Sequence, residues 1–136
     1  MPHVTVTRRM HFNAAHRLHN PALSDEENRK LFGPCNNPNS HGHNYELEVS
    51  VRGEIDPRTG YVADISEIKQ VIEDRVASYL DHKNLNLDVP EFADLNPTAE
   101  NIVVVIWNRL EGRLPATLVK IVLWETPRNS VVYDGH

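Results

Sequence analysis

Residues 3–16 alternate between apolar and polar. Val4, Val6, Met10, Phe12 and Ala14 share one parity, and Thr5, Thr7, Arg9 and His11 the other. A period of two over this length predicts a strand with one buried face. Arg8 interrupts the pattern, and His16 falls on the apolar parity. The alternation returns from His41 to Arg52, with Tyr45, Leu47, Val49 and Val51 on one face and Asn44, Glu46, Glu48 and Ser50 on the other. Counting back by twos puts His41 and His43 on the apolar face as well. Residues 20–40 read as loop because proline, glycine, asparagine and serine cluster there, as in GPCNNPNS. Within that loop, Asp25-Glu26-Glu27 seeds a short helical turn.

Beyond the second strand, Asp56-Pro57-Arg58-Thr59-Gly60 predicts a turn, with strand pairing across it to Tyr61–Ala63. Asp64 followed by Glu67 resembles a capping box, with Asp in place of Ser or Thr. Behind it, Ile65, Ile68, Ile72, Val76 and Leu80 recur at helical spacing, which predicts a helix over 65–80. Thr98 caps a second helix. The run Val103–Ile106 has strand propensity, but the cap and the Ile102, Ile106, Leu110 spacing favour helix. Leu118–Glu125 and Ser130–Tyr133 are the last strands, joined by a turn at 126–129. Neighbouring strands with short turns pair antiparallel, and two helices cover one face, so the fold class is α+β in one domain spanning 1–136.

Composition narrows the function. No apolar run approaches the ~20 residues that span a bilayer, and no secretory pattern opens the chain, so a cytoplasmic protein is expected. The net charge of −5 and the scattered basic residues argue against a nucleic-acid partner. Histidine is the unusual residue: there are eight, and His3, His11, His16, His19, His41 and His43 all fall in the first third.

Zinc takes neutral imidazole readily, and a catalytic site needs three protein ligands with one position open. In His41-Gly42-His43 the two imidazoles lie on one side of a strand, with Cα atoms roughly 6.5–7 Å apart, close enough to meet at one metal. Gly42 removes a side chain where the backbone needs to bend. His16, on the inward parity of a separate strand, completes the set. The bland alternative, three unrelated histidines near a turn, suits an isolated histidine better than this triplet.

Cys35 is the single cysteine, so no intramolecular disulfide forms. Its residue type admits a fourth zinc ligand, an inert buried thiol or a reactive thiolate. Asp81-His82 could supply the partner that a thiolate needs. Glu125 shares parity with Val119, Ile121 and Leu123. A carboxylate on that face is either solvated at the strand end or met by a cationic or hydrogen-bond-donating group, such as a guanidine-like ligand edge. Glu100, in the first turn of the second helix, is accounted for by the helix dipole.

The segments FNAAHRLH, LSDEENRKLFGPCNNPNSHGHNYELEV, GEIDPRTG, LDHKNLN, VPEFAD, PTAENI and WETPRNSVVY together resemble the 6-pyruvoyl-tetrahydropterin synthase family. The resemblance implies that His16, His41 and His43 bind zinc and that Cys35 is the general base, with Asp81 and His82 completing a proton relay. It further implies that Glu125 anchors the 2-amino and N3 edge of a pterin, with Thr98 and Glu100 lining the pocket. The implied reaction converts 7,8-dihydroneopterin triphosphate to 6-pyruvoyl-tetrahydropterin. The implied fold is a tunnelling fold, a four-stranded antiparallel sheet with two helices on one face. Three such subunits form a barrel, two trimers stack into a hexamer, and the active site lies between subunits.

The nearest rival is the 6-carboxy-tetrahydropterin synthase of queuosine synthesis, a branch with three residues between the cysteine and HGH. The five-residue gap here, Asn36 to Ser40, favours the pyruvoyl branch. A non-catalytic zinc or pterin-binding module is the rival from another class. A zinc hydrolase lacks support, since no HExxH-type motif is present.

Overall fold

The computed structural model describes all residues from 1 to 136. Strand β1 (His3–His16) runs antiparallel to β2 (His41–Glu54) in unbroken register, from His3 opposite Glu54 to His16 opposite His41. Strand β4 (Thr117–Thr126) pairs with β2, and β5 (Asn129–Tyr133) with β4, both antiparallel. A two-residue strand β3 (Lys83–Asn84) adds to β1 in parallel at Ala14 and Ala15. The sheet is therefore five-stranded and mixed, in the order β3-β1-β2-β4-β5, rather than four-stranded and antiparallel. The extra strand is short because the chain is helical up to Leu80 before it and again from Leu85 after it.

The predicted parity holds along the core. Phe12, Ala14 and His16 of β1, and Tyr45, Leu47, Val49 and Val51 of β2, are all buried. Their face of the sheet is covered by the helices, and the buried apolar residues form one cluster with Ile68, Ile72, Val76, Leu80, Ile102, Ile106 and Leu110. The opposite face is a ladder of polar pairs. Thr7 and Ser50 hydroxyls lie 2.7 Å apart, Arg9 meets Glu46 at 3.3 Å, and Asn13 donates to Asn44 at 2.6 Å.

Helices account for more of the chain than expected. The loop segment contains α1 (Asp25–Phe32) and a tight helical turn at Gly33–Asn36. A full capping box starts α1: Ser24 accepts from the Glu27 amide while the Glu27 carboxylate accepts from the Ser24 amide. Asn28, fully buried, ties α1 to the preceding loop by accepting from the Asn20 amide and donating to the Asn20, Leu23 and Ser24 carbonyls.

The expected helix over 65–80 is interrupted. Helix α2 (Ile65–Ile72) passes through a wide π-type turn at Glu73–Ala77 into the single turn α3 (Ser78–Leu80). Asp64 caps α2 by accepting from the Ser66 amide. The buried residues Ile68, Ile72, Val76 and Leu80 are each four apart. In a regular α-helix that spacing drifts by about 40° per step, and the wide turn absorbs the drift. Tyr61–Ala63 is not a strand; Tyr61 is exposed, and its carbonyl closes the preceding turn by accepting from Asp56.

After α4 (Leu85–Asp88), helix α5 (Ala99–Leu110) starts as predicted, with the Thr98 hydroxyl accepting from the Asn101 amide. Val103–Ile106 are helical because their buried face packs on β4 and β5. No helix is long and apolar enough to cross a membrane.

Candidate functional site

The β1–β2 register brings His16 opposite His41 and places Ala14 opposite His43. All three imidazoles point to the helix-covered face, and their ligand-capable atoms lie within 4.8 Å of one another. The His16 and His41 Nε2 atoms are 3.1 Å apart. Tetrahedral nitrogen ligands of zinc sit about 3.3 Å from one another. His16 is almost fully buried, and its Nδ1 lies 2.7 Å from the Pro97 carbonyl. A carbonyl only accepts, so Nδ1 carries the proton and Nε2 presents a lone pair to the cluster. Burial lowers the His16 pKa to about 4 against the opposing effect of that carbonyl, with His41 and His43 lowering it further. Burial and His43 also lower the pKa of His41, while Glu125 raises it. His16 and His41 are thus biased toward the neutral form, which is the ligating one.

Two further atoms bear on metal binding. His41 Nδ1 and His43 Nε2 are buried without a hydrogen-bond partner. An unpartnered buried polar atom is costly in a native structure and calls for an explanation. A cation between the three rings supplies one for the nitrogens that turn toward it. The three histidines could hold a metal ion.

Tyr45 closes the base of the cluster. It is fully buried, stacks on Phe12 at 4.9 Å, and brings its hydroxyl to 3.5 Å from His16 Nδ1. Burial pushes its pKa up, and Glu125 and Cys35 push it further. Both of those residues therefore lie on the cluster's side of the molecule. Cys35 is half-buried in the helical turn after α1, where its carbonyl accepts from the Leu18 amide at 2.8 Å.

The β2–β4 ladder begins only at Glu46 opposite Trp124, so residues 41–45 have no strand neighbour on that side. A cavity of about 560 Å³ occupies this gap, with His43, Gly42, Glu125, Thr126 and Trp124 among its lining residues. Gly42 is not there for backbone freedom. Its φ is not positive, and a Cβ would make only an ordinary 3.7 Å contact with the Ala14 carbonyl. Its effect is to leave the cavity wall without a side chain.

Asp81 and His82 form a second group at the outer edge of β1. Asp81 Oδ1 accepts from the Asn13 amide at 2.9 Å and from His82 Nδ1 at 3.0 Å, and the His82 amide donates to the Asn13 carbonyl. Desolvation raises the Asp81 pKa, but the Asn13 amide and His82 outweigh it and leave the carboxyl below its ordinary value. Asp81 lines a different cavity from His43, and no hydrogen bond joins the pair to Cys35 within the chain. Only two non-glycine residues have positive φ: Ser40, just before His41, and His82. Such backbone is sparsely populated and clusters at functional segments.

Thr98 and Glu100 lie at the start of α5, directly after the Pro97 carbonyl that orients His16. The Thr98 oxygen is engaged as the helix cap, and Glu100 is exposed. Sequence reading missed Pro97, because a backbone acceptor has no residue-type signature. It also passed over Tyr45, whose place two residues after His43 on the same parity was a usable signal.

A profile of the 6-pyruvoyl tetrahydropterin synthase family matches residues 5–136. The chain belongs to this family. It is 53% identical over 131 residues to the 6-pyruvoyl tetrahydrobiopterin synthase of Homo sapiens, covering 96% of this chain and 90% of the human protein. The solved structure of the Caenorhabditis elegans 6-pyruvoyl tetrahydropterin synthase superposes with a TM-score of 0.94 at 42% identity, over 100% of this chain and 98% of the other. The chain is also similar to a protein named for a different reaction. A dihydroneopterin monophosphate aldolase of Pyrococcus furiosus is 40% identical over 119 residues, 86% of this chain and 85% of that one.

Proposed function

We propose that the protein is a zinc-dependent lyase that converts 7,8-dihydroneopterin triphosphate to 6-pyruvoyl-tetrahydropterin and releases triphosphate. The observation that carries this reading is the convergent His16, His41, His43 cluster beside a cavity lined by His43 and Glu125. The cavity volume is in the range of small-molecule sites. In this reading the pterin ring occupies it. Glu125 accepts from the 2-amino and N3 hydrogens, a paired geometry that a carboxylate suits. When bound, zinc polarises the side-chain hydroxyls of the substrate and stabilises enolate-like charge. The Pro97 carbonyl holds the His16 ring with its lone pair facing inward.

Cys35 is the general base in this reading, and the Asp81–His82 pair completes the proton relay. The carboxylate fixes His82 by accepting from its Nδ1, which leaves Nε2 to exchange protons. Because the pair makes no contact with Cys35 inside one chain, the reading has the relay completed in an assembly, a hexamer of two trimers with sites between subunits. Thr98, whose hydroxyl retains a proton to donate, and Glu100 are the remaining substrate contacts. A reduced lone thiol suits the cytoplasm.

The test is product analysis by mass spectrometry after incubation with dihydroneopterin triphosphate. The expected product is 6-pyruvoyl-tetrahydropterin with free triphosphate. A carboxylated pterin with acetaldehyde, or an aldol cleavage product, overturns the assignment.

A further inference from the structure

Arg17 follows His16 directly, and its position is fixed from three sides. Its backbone amide donates to Asn86 Oδ1 at 2.7 Å, its carbonyl accepts from Asn86 Nδ2 at 2.9 Å, and its Nε donates to the Asn36 carbonyl at 2.9 Å. The next residues extend the attachment: the Leu18 amide donates to the Cys35 carbonyl, and Asn36 Nδ2 donates to the Leu18 carbonyl. The segment after His16 is thereby zipped to the segment that carries Cys35.

The remaining N–H donors of the Arg17 guanidinium have no protein partner, and no carboxylate lies within ion-pair distance of it. Of the arginines only Arg9, Arg58 and Arg109 meet a carboxylate, so what sets Arg17 apart is that its side chain is anchored through Nε while its other donors stay free. Arg17 borders a groove of about 340 Å³ that also holds Arg29, likewise without an ion-pair partner, and one acid, Asp25. The groove walls include Gly33 and Pro34 on one side of Cys35, and Asn36 and Asn37 on the other. It therefore runs beside the turn that carries Cys35.

We propose that Arg17, with Arg29 at the outer end, binds the triphosphate of the substrate. This inference rests on the reaction proposed above. A pre-positioned guanidinium fork matches phosphate oxygens, and the ordering of its side chain is already complete before the ligand arrives. Neither the histidine cluster nor the Glu125 cavity offers the triphosphate an equivalent, since the one arginine on that cavity, Arg9, is paired to Glu46.

The test is an equilibrium titration by pterin fluorescence in a metal-loaded Cys35→Ala background, which holds ligand without consuming it. Two ligands are compared, dihydroneopterin triphosphate and phosphate-free dihydroneopterin. The parent is expected to prefer the triphosphate by at least about tenfold. Arg17→Gln should bring the two ligands to near parity, Arg17→Lys should lose part of the preference, and Arg29→Ala should lose about two- to threefold. Dihydroneopterin affinity should stay constant throughout. A triphosphate preference unchanged in Arg17→Lys and Arg29→Ala overturns the inference, as does an equal loss for both ligands. Failure of the proposed reaction looks different: the unmodified protein forms no 6-pyruvoyl product while the triphosphate preference persists.

Discussion

Two stretches of one sheet face, in one continuous register, carry opposite chemistry. In the middle, Phe12 stacks on Tyr45 with an 11° interplanar angle, and Met10 lies opposite Leu47; the contacts are apolar and complete. A few residues on, His16 is as buried as that core and His41 and His43 are half-buried, yet one buried ring nitrogen on each of His41 and His43 has no partner. Both stretches obey the same alternation. The difference is that the middle is satisfied within the chain, while two ring nitrogens at the histidine end are not. The two stretches are distinguished here by hydrogen-bond satisfaction.

That contrast can be broken from either end. The largest effect is expected from His43→Ala, which removes one of the three proposed ligands. Metal affinity should fall by about a hundredfold or more, with turnover lost alongside it, as read by elemental analysis of dialysed protein. Cys35→Ala should separate the two properties, keeping near one metal per subunit while turnover drops by about 10²–10⁴. If that variant loses its metal, Cys35 is a ligand and not a base.

At the apolar end, Leu47→Ala should cost about 2–5 kcal/mol of stability in urea unfolding without changing metal stoichiometry. A coupled loss of metal would mean that the two stretches are not independent.

The smallest effect lies away from both stretches, at the bidentate pair between Glu91 and Arg109, with both contacts at 2.6 Å. The hydrogen bond from Arg109 holds the Glu91 carboxyl below its ordinary value of 4.5. A depressed carboxylate pKa means that the folded state binds its proton less readily than the unfolded state. The contribution is therefore full above about pH 4.5 and is lost as pH falls through the folded pKa. Partial exposure limits it to below about 1 kcal/mol. Glu91→Gln should flatten that part of the acid-unfolding profile while leaving stability at pH 4.5 and above within the same small margin.

Much of the site was legible because strands write their faces at a period of two. Once His16, His41 and His43 shared the apolar parity, their meeting needed only the register of β1 on β2. Thr98 was legible as a cap for a similar local reason. Helix α1 was not, because its buried anchor is Asn28, a polar residue satisfied by four loop contacts that no periodicity announces. The capping box was read at Asp64 and Glu67, whereas the complete one is Ser24 and Glu27. The wide turn in the helix was encoded in the fourfold spacing from Ile68 to Leu80, which had been taken as ordinary helical repetition. β3 and the Pro97 carbonyl depend on long-range placement, so no local pattern could reveal them.

The wide turn at Glu73–Ala77 also sets the angular phase of everything that follows it. If those residues were wound as regular α-helix with none removed, the chain beyond would rotate by about 100° and advance by about 1.5 Å. Leu80 would swing out of the core, and Asp81 would miss the Asn13 amide that it now accepts from. The turn thus behaves as one residue of slack in the chain's length: deleting a residue from it restores a plain helix and leaves the docking of Asp81 and His82 in place, whereas adding one leaves the pair with no edge to meet.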